Sequence, residues 1–354
     1  MQVYVFWRAA SVPLLARLIS RKVLFSIGVV PWATFVLTHL PRYSSREPLL
    51  GVFELIGMDW LGMLFLASVC LLAVELVTGF GFLLPKLAPS LRGLALLAGA
   101  LLSVIALVQG MRPPIIRDYE VRLGNLPAER DGTVVAVVSD LHLGSLLGES
   151  WLAARVIQVQ DLKPDMIVLL GDLVEGHGQP VDGMIPILRR LSAPLGVWAV
   201  SGNHESHSRG TNNRRLLHEA GFQVLRNRWA EVRPGLILAG VNDLAGRRRS
   251  GQSRDVMGQS LAGRPPGTTI LLSHTPWQAE DAASAGVCLM LSGHTHAGQI
   301  WPFSYLVQLR YPLLEGRYEV DGMPVIVSRG TGTWGPRMRL WRPGEILRIT
   351  LRTK

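Results

Sequence analysis

The chain has 354 residues, enough for one large domain or two ordinary ones, and 48% of them are apolar. Its mean hydropathy is positive, which argues against a wholly soluble enzyme and for a soluble domain joined to membrane segments. The net charge of +10 comes largely from Arg beside apolar segments, so an anionic membrane surface explains it more simply than nucleic acid, and two cysteines exclude a disulfide framework or a thiolate metal site.

Residues 1–22 are apolar yet carry Arg8, Pro13, Arg17, Arg21 and Lys22, and read as a basic, interfacial segment. Residues 23–111 read as a membrane region with about three spans, at 23–40, 60–84 and 91–111. Each approaches the roughly 20 apolar residues a transmembrane helix needs. Trp32, Trp60 and flanking Arg or Lys suit interfacial anchoring. Buried helices of a soluble domain are the alternative, disfavoured because three such stretches arrive in series. A cleaved signal peptide is not expected, since no small-residue cleavage site follows the first stretch and more spans come after it. Lys and Arg balance on alternate sides, so orientation rests on the first span. That span would leave the amino terminus inside and the large domain outside; a fourth span within residues 1–22 would reverse this. Glu75 interrupts the second stretch. It either marks a transport path or pairs inside a small bundle, and the second reading is favoured.

Residues 112–130 form a proline-containing linker with room for one edge strand, and residues 131–354 read as a separate domain. Short apolar runs there, at 133–139, 166–171, 197–202, 236–240, 269–273, 288–292, 324–328 and 346–351, have the Val, Ile and Leu content of buried strands. Helical segments are expected at 151–160, 183–191, 213–219 and 276–283. Strands alternating with helices make a layered α/β domain.

Five motifs sit where strands should end: SDLHLG, GDLVEG, GNHE, SHTP and GHTHAG. They supply Asp140, His142, Asp172, Asn203, His204, His274, His294 and His296. In open α/β sheets, ligands bind beyond the carboxyl ends of strands. Asp140 and His142 on an extended segment would share one face and chelate one ion. His294 and His296 would do the same, or split between two ions if the turn splays them. Asp172 has two oxygens and can bridge. Gly171, Gly202 and Gly293 let the backbone turn sharply and approach the ions. Mixed nitrogen and oxygen ligation suits Mn, Fe or Zn better than Ca or Mg. Two adjacent divalent metal ions suit in-line attack on phosphorus. A lone His is more often packed or solvated than ligating, and His39, His177, His207 and His218 are read that way.

The motif set resembles the calcineurin-like metallophosphoesterases over roughly residues 131–354, with Asp140-Leu-His142, GDLVE, GNHE, His274 and GHTH in the family's order. SGHTHAGQIWP and VSRGTGTWGPRMRLWRPGEI are similar to the membrane-associated bacterial branch, which includes enzymes cleaving the pyrophosphate of UDP-diacylglucosamine. The resemblance implies a four-layer αββα sandwich behind an amino-terminal transmembrane helical region. It implies one ion on Asp140, His142, Asp172 and His296, and a second on Asp172, Asn203, His274 and His294. It implies His204 facing the leaving-group oxygen, with Glu205 as its orienting partner. Glu175 and Ala297 depart from the family pattern at positions that are not ligands.

The expected function is a membrane-anchored hydrolase of phosphoester or pyrophosphate bonds, acting on a lipid or envelope precursor in a bacterial inner membrane. A nuclease is the alternative, since Arg247, Arg248 and Arg249 form a basic run, although that run reads better as a solvated loop. A non-enzymatic metal-binding scaffold is a third reading, disfavoured by retention of His204 with all the ligands. A transporter is a weaker fourth. Arg329 and Arg337 are candidates for touching the substrate phosphate.

Overall fold

The computed structural model describes residues 1–38, 48–144, 146–175, 182–207, 211–244 and 255–354. The chain forms two units, one of Met1–Arg112 with Gly335–Trp341, the other of Pro113–Trp334 with Arg342–Lys354.

The first unit is helical: α1 (Gln2–Ala9), α2 (Pro13–Leu18), α3 (Arg21–Thr38), α4 (Pro48–Thr78) and α5 (Ala88–Met111). Among the described residues two helices, Gly51–Thr78 and Ala88–Met111, are long and apolar enough to cross a membrane by length and composition. The expected first span is helical as far as Thr38, and residues 39–40 lie outside the described residues. Small residues let the helices approach closely. A Cβ at Gly99 would lie 2.9 Å from the Ala67 Cα, and one at Gly57 would lie 2.7 Å from the Phe35 Cα. Helix α1 buries Val5, Phe6 and Ala9 within the unit and leaves Val3 and Trp7 exposed.

Glu75 is fully buried and pairs inside the bundle, as favoured. Arg92 donates to both its oxygens at 2.7 and 3.1 Å, and Arg8 Nε lies 3.0 Å away. The segment Gly335–Trp341 returns late in the chain as a strap on α4 and α5. The Arg337 N–H donates to Asp59 (2.8 Å), the Arg339 N–H to the Ala106 carbonyl (2.9 Å) and the Trp341 N–H to Gln109 (2.7 Å).

Among the described residues the second unit has twelve strands: β1 (Ile115–Leu123), β2 (Val134–Val138), β3 (Met166–Leu169), β4 (Val197–Ala199), β5 (Gln223–Val224), β6 (Arg228–Arg233), β7 (Leu236–Gly240), β8 (Thr268–Leu272), β9 (Leu289–Ser292), β10 (Gly316–Val320), β11 (Met323–Val327) and β12 (Glu345–Thr353). One sheet runs β1-β12-β2-β3-β4-β5 and the other β10-β11-β9-β8-β7-β6. Both are mixed, with parallel centres at β2 to β5 and at β7-β8-β9-β11. Residues 112–130 contain the edge strand allowed for them. Their alternating IIRDYEVRL forms β1, paired in parallel with β12, and buries Val121 and Leu123.

Two-residue periodicity builds the layers. Val135, Val137, Met166 and Val168 face Leu236, Leu238, Ile270 and Leu291 between the sheets. Ala136, Val138, Ile167 and Leu169 point outward, onto helices α6 (Glu149–Gln160), α7 (Ile185–Leu188) and α9 (Thr211–Glu219). The far face of the second sheet packs on α10 (Val256–Leu261) and α11 (Ala279–Ser284). This is the four-layer αββα sandwich. Each fully buried Val or Leu side chain contributes about 1.5–3 kcal/mol of transfer energy, so the strand centres hold the architecture. The remaining helices are α8 (Asn203–His207) and α12 (Phe303–Arg310).

Candidate metal centre

The parallel strands of both sheets end at one place. The loops after β2, β3, β4, β8 and β9 carry Asp140 and His142, Asp172, Asn203 and His204, His274, and His294 and His296. All of the expected ligand residues are brought together there. Asp140, His142 and His296 form one group able to hold an ion, and Asp172, His274 and His294 form another. In the first group His142 Nε2 lies 3.0 Å from His296 Nε2, and His296 Nε2 lies 3.5 Å from Asp140 Oδ1. In the second, His274 Nε2 lies 3.1 Å from Asp172 Oδ2, 3.1 Å from Asn203 Oδ1 and 3.1 Å from His294 Nδ1. Asp172 Oδ2 also stands 4.0 Å from His142 Nε2, between the two groups.

The local backbone differs from expectation. Asp140 and His142 do not lie on an extended segment; their φ angles are +52° and +46°. Asp172, His294 and His296 are also in the left-handed region, at +49°, +71° and +48°. Such conformations are costly for residues with a Cβ and persist where the surroundings over-determine them, commonly at functional sites. The surroundings here are backbone hydrogen bonds: Asp140 N–H to Gly171, His142 N–H to Asp172, Thr331 N–H to Ser139 and Gly332 N–H to Asp140. Close approach explains two glycines. A Cβ on Gly202 would lie 2.1 Å from Asp172 Oδ1, and one on Gly293 would lie 2.5 Å from Asp140 Oδ2.

The imidazoles are oriented from behind. His274 Nδ1 donates to the Leu170 carbonyl at 2.7 Å, leaving Nε2 for the centre. His142 Nδ1 is 2.5 Å from the Glu175 carboxylate. His294 Nε2 is 2.7 Å from the Tyr311 hydroxyl, which turns Nδ1 inward. Distal partners of this kind fix the tautomer and basicity of a ligating imidazole. Glu175 and Tyr311 were not assigned roles from the sequence. Glu175 was visible only as a departure from a motif, and Tyr311 lies outside every motif.

Charge is concentrated. Burial pulls the His142 imidazole down, but Glu175 outweighs it and holds the group up at about 9. Burial opposes protonation of His274 as well, yet Asp172 keeps it well above its ordinary value. Burial would raise Asp140 and Asp172, but the surrounding imidazoles hold both carboxyls well below the usual range. His294 falls to about 3, through burial first and the neighbouring His274 second. Two buried carboxylates, the Asn203 amide oxygen and the imidazoles meet here as mixed oxygen and nitrogen donors. The donor set therefore fits divalent ions.

His204 Nδ1 is held by the Glu175 carbonyl at 2.6 Å, and its Nε2 stands 4.0 Å from Asp172 Oδ2. Glu205 does not serve as the expected orienting partner on that nitrogen. Its carboxylate accepts from the backbone N–H groups of Asp172 (2.9 Å), Leu173 (2.7 Å) and Gly202 (2.7 Å). Placed in the first turn of α8, it ties the GNHE turn to the GDLVE turn. Burial first, and the Asp172 charge second, push the Glu205 carboxyl up. Arg329 is taken up by Glu315 and lies 3.8 Å from Glu345, and Arg337 belongs to the helical unit. Arg247, Arg248 and Arg249 lie outside the described residues.

Two facing sheets whose parallel strands deliver Asp, Asn and His to a paired donor cluster define the class of binuclear metallohydrolases. The family model for calcineurin-like phosphoesterases matches residues 133–298. A transmembrane protein with metallophosphoesterase domain from Danio rerio is 35% identical over 271 residues, 73% of this chain and 62% of that one. A metallophosphoesterase from Aquifex aeolicus is 33% identical over 68% of this chain and 92% of its own. The chain belongs to the calcineurin-like metallophosphoesterases. It spans a little under two thirds of the length of the first of these relatives. Among solved structures, a dimetal phosphatase from Danio rerio aligns over 57% of this chain with 15% identity and a TM-score of 0.37, too loose a likeness to add to the assignment.

Proposed function

We propose that the protein is a membrane-anchored, binuclear-metal hydrolase of phosphoester or pyrophosphate bonds, acting on a membrane-associated substrate such as a lipid or envelope precursor in a bacterial inner membrane. The observation that carries this reading is the convergence of five strand-end loops on two adjoining donor groups. Asp140, His142, Asp172 and His296 would hold one ion, and Asp172, Asn203, His274 and His294 the other. Mn, Fe or Zn suits these donors. When bound, the ions supply Lewis acidity toward the phosphoryl oxygens and activate water.

The chain's own residues do the rest. The backbone bonds of Glu205 keep the Asp172 and Asn203 turns in register. The Glu175 carbonyl fixes His204 so that Nε2 faces the centre, where it can deliver a proton to the departing oxygen. The two candidate spans and the transmembrane name of relatives support membrane association, which suits a substrate presented at a bilayer.

Purified full-length protein loaded with Mn should cleave bis-p-nitrophenyl phosphate. His204→Ala should retain its metal and lose about 10²–10⁴-fold in kcat, with larger losses for poorer leaving groups. Loss of metal from that variant would refute the role. Offered side by side, a lipid pyrophosphate should be preferred to single-stranded DNA; cleavage of DNA alone would remove the lipid reading.

A further inference from the structure

Helix α12 inverts the usual burial of a surface helix. Amphipathic helices of soluble domains turn their apolar face to the core. In Phe303–Arg310 the buried residue is Ser304, while Leu309 is 85% exposed, Tyr305 62% and Leu306 58%, with Phe303 exposed beside them. Ser304 packs where Gly298 has no side chain; a Cβ there would lie 2.3 Å from the Ser304 Cα. Ser304 is thus the helix's buried side chain and Val307 is half-buried, while the larger Leu306 and Leu309 face the surroundings.

Both ends of α12 are wired to the metal centre. Its start rests on the turn His296–Gly298, which carries one expected ligand. Just past its end, Tyr311 meets His294 at 2.7 Å and stacks on Trp277, and the Arg310 guanidinium lies 4.4 Å from the centre of the same indole. Trp334, also exposed, is fixed beside this region by Gln299, which bonds its backbone on both sides at 3.0 and 2.8 Å.

We propose that α12 docks into the interfacial layer of a lipid bilayer, with Leu306 and Leu309 among the acyl chains and Arg310 at anionic headgroups, so that a phosphoester embedded in that bilayer is delivered to the metal centre. Three observations select a bilayer over a protein partner. The exposed set combines Leu with Phe, Tyr, Trp and Arg, the composition of interfacial segments. The chain carries +10 net charge, complementary to anionic lipid. It also contains two helices long and apolar enough to cross a membrane by length and composition. The substrate class, an amphiphile rather than a free nucleotide, rests on the hydrolase reading above; the docking itself does not.

The test uses the full chain in nanodiscs containing anionic lipid, with Cys70 and Cys288 replaced by Ser. A bimane label at Leu309→Cys should be quenched by lipids bearing a shallow nitroxide, and a label at Asp321→Cys, in the β10–β11 turn, should not. Equal quenching at both positions, or none at 309, overturns the proposal. A label at 309 shielded from both nitroxide lipid and aqueous quencher points to a protein partner and also overturns it. In a second arm, Leu306→Glu with Leu309→Glu should lower kcat/KM on a phosphoester lipid in vesicles by about tenfold, equivalent to roughly 1.4 kcal/mol, while turnover of bis-p-nitrophenyl phosphate is kept. An equal loss on both substrates assigns α12 a structural role instead. Should the parent protein turn over neither substrate, the hydrolase reading falls, and the quenching result still decides the docking.

Discussion

Replacing Glu175 with Gln is expected to weaken one metal ion and spare the other. The substitution removes the charge facing His142 Nδ1 at 2.5 Å, keeps the side chain's length, and leaves in place the backbone carbonyl that orients His204. A carboxylate behind a ligating imidazole is worth about 10–100-fold in metal affinity, or roughly 1.4–2.7 kcal/mol. The upper part of that range is expected here, because the side chain of His142 is 1% exposed and that of Glu175 19%, so solvent screens the pair little. The loss should fall on the ion held with His142. His274 and His294 are supported independently, by Leu170 and Tyr311. Titration of metal-free protein with Mn, followed by calorimetry and by elemental analysis after dialysis, should show one site weakened and the other nearly unchanged. At saturating Mn the turnover number should recover. Equal weakening of both sites, or full affinity with a collapsed turnover number, would refute the reasoning.

Glu205→Gln should destabilise the catalytic unit. An amide facing Asp172 and Gly202 would leave two buried N–H donors without their acceptor, at about 1–3 kcal/mol each; thermal unfolding that shifts by less than one such contribution would sink the assigned role. Glu75→Ala should cost the helical unit about 3–5 kcal/mol by stranding Arg8 and Arg92, read as lost thermal stability in detergent, and an unchanged melting point would show the trio to be dispensable. Metal uptake should be proton-linked. His142 keeps its proton up to about pH 9 in the metal-free protein, so an incoming ion must displace it, and affinity should climb from neutral pH and level off above about 9. Calorimetry in two buffers of different ionisation heat should show proton release near pH 7; none would contradict it.

Much of this arrangement was legible from residue pattern. The buried parallel strands announce themselves as apolar runs stopped by Gly or Ser, and the candidate metal-binding residues follow them directly. Strands β6 and β10 escaped because RWAEVR and GRYEV lie at sheet edges, where half the positions face water. Helix α12 escaped because its apolar spacing answers to no core. The left-handed backbone at Asp140 and His142 is set by hydrogen bonds from distant loops, so the segment is not the extended strand end expected, although both side chains reach the same donor group. The work of Glu175, Glu205 and Tyr311 depends on what lies behind each ring or turn, which no local spacing encodes. Glu75 pairs inside the bundle as favoured, and its second cation, Arg8, comes from the segment expected to be interfacial.

The strap of Gly335–Trp341 has a practical consequence for dissecting this protein. The polypeptide passes between its two units three times, at 112–113, 334–335 and 341–342, so no single cut separates them. Deleting the first 112 residues would leave Met338, wholly shielded in the intact chain, bare to solvent, and would take away the acceptors of the Arg337, Arg339 and Trp341 amides. A soluble fragment made that way would carry a sticky, unsatisfied loop of its own. Replacing those seven residues with a short polar turn in the same step removes the liability.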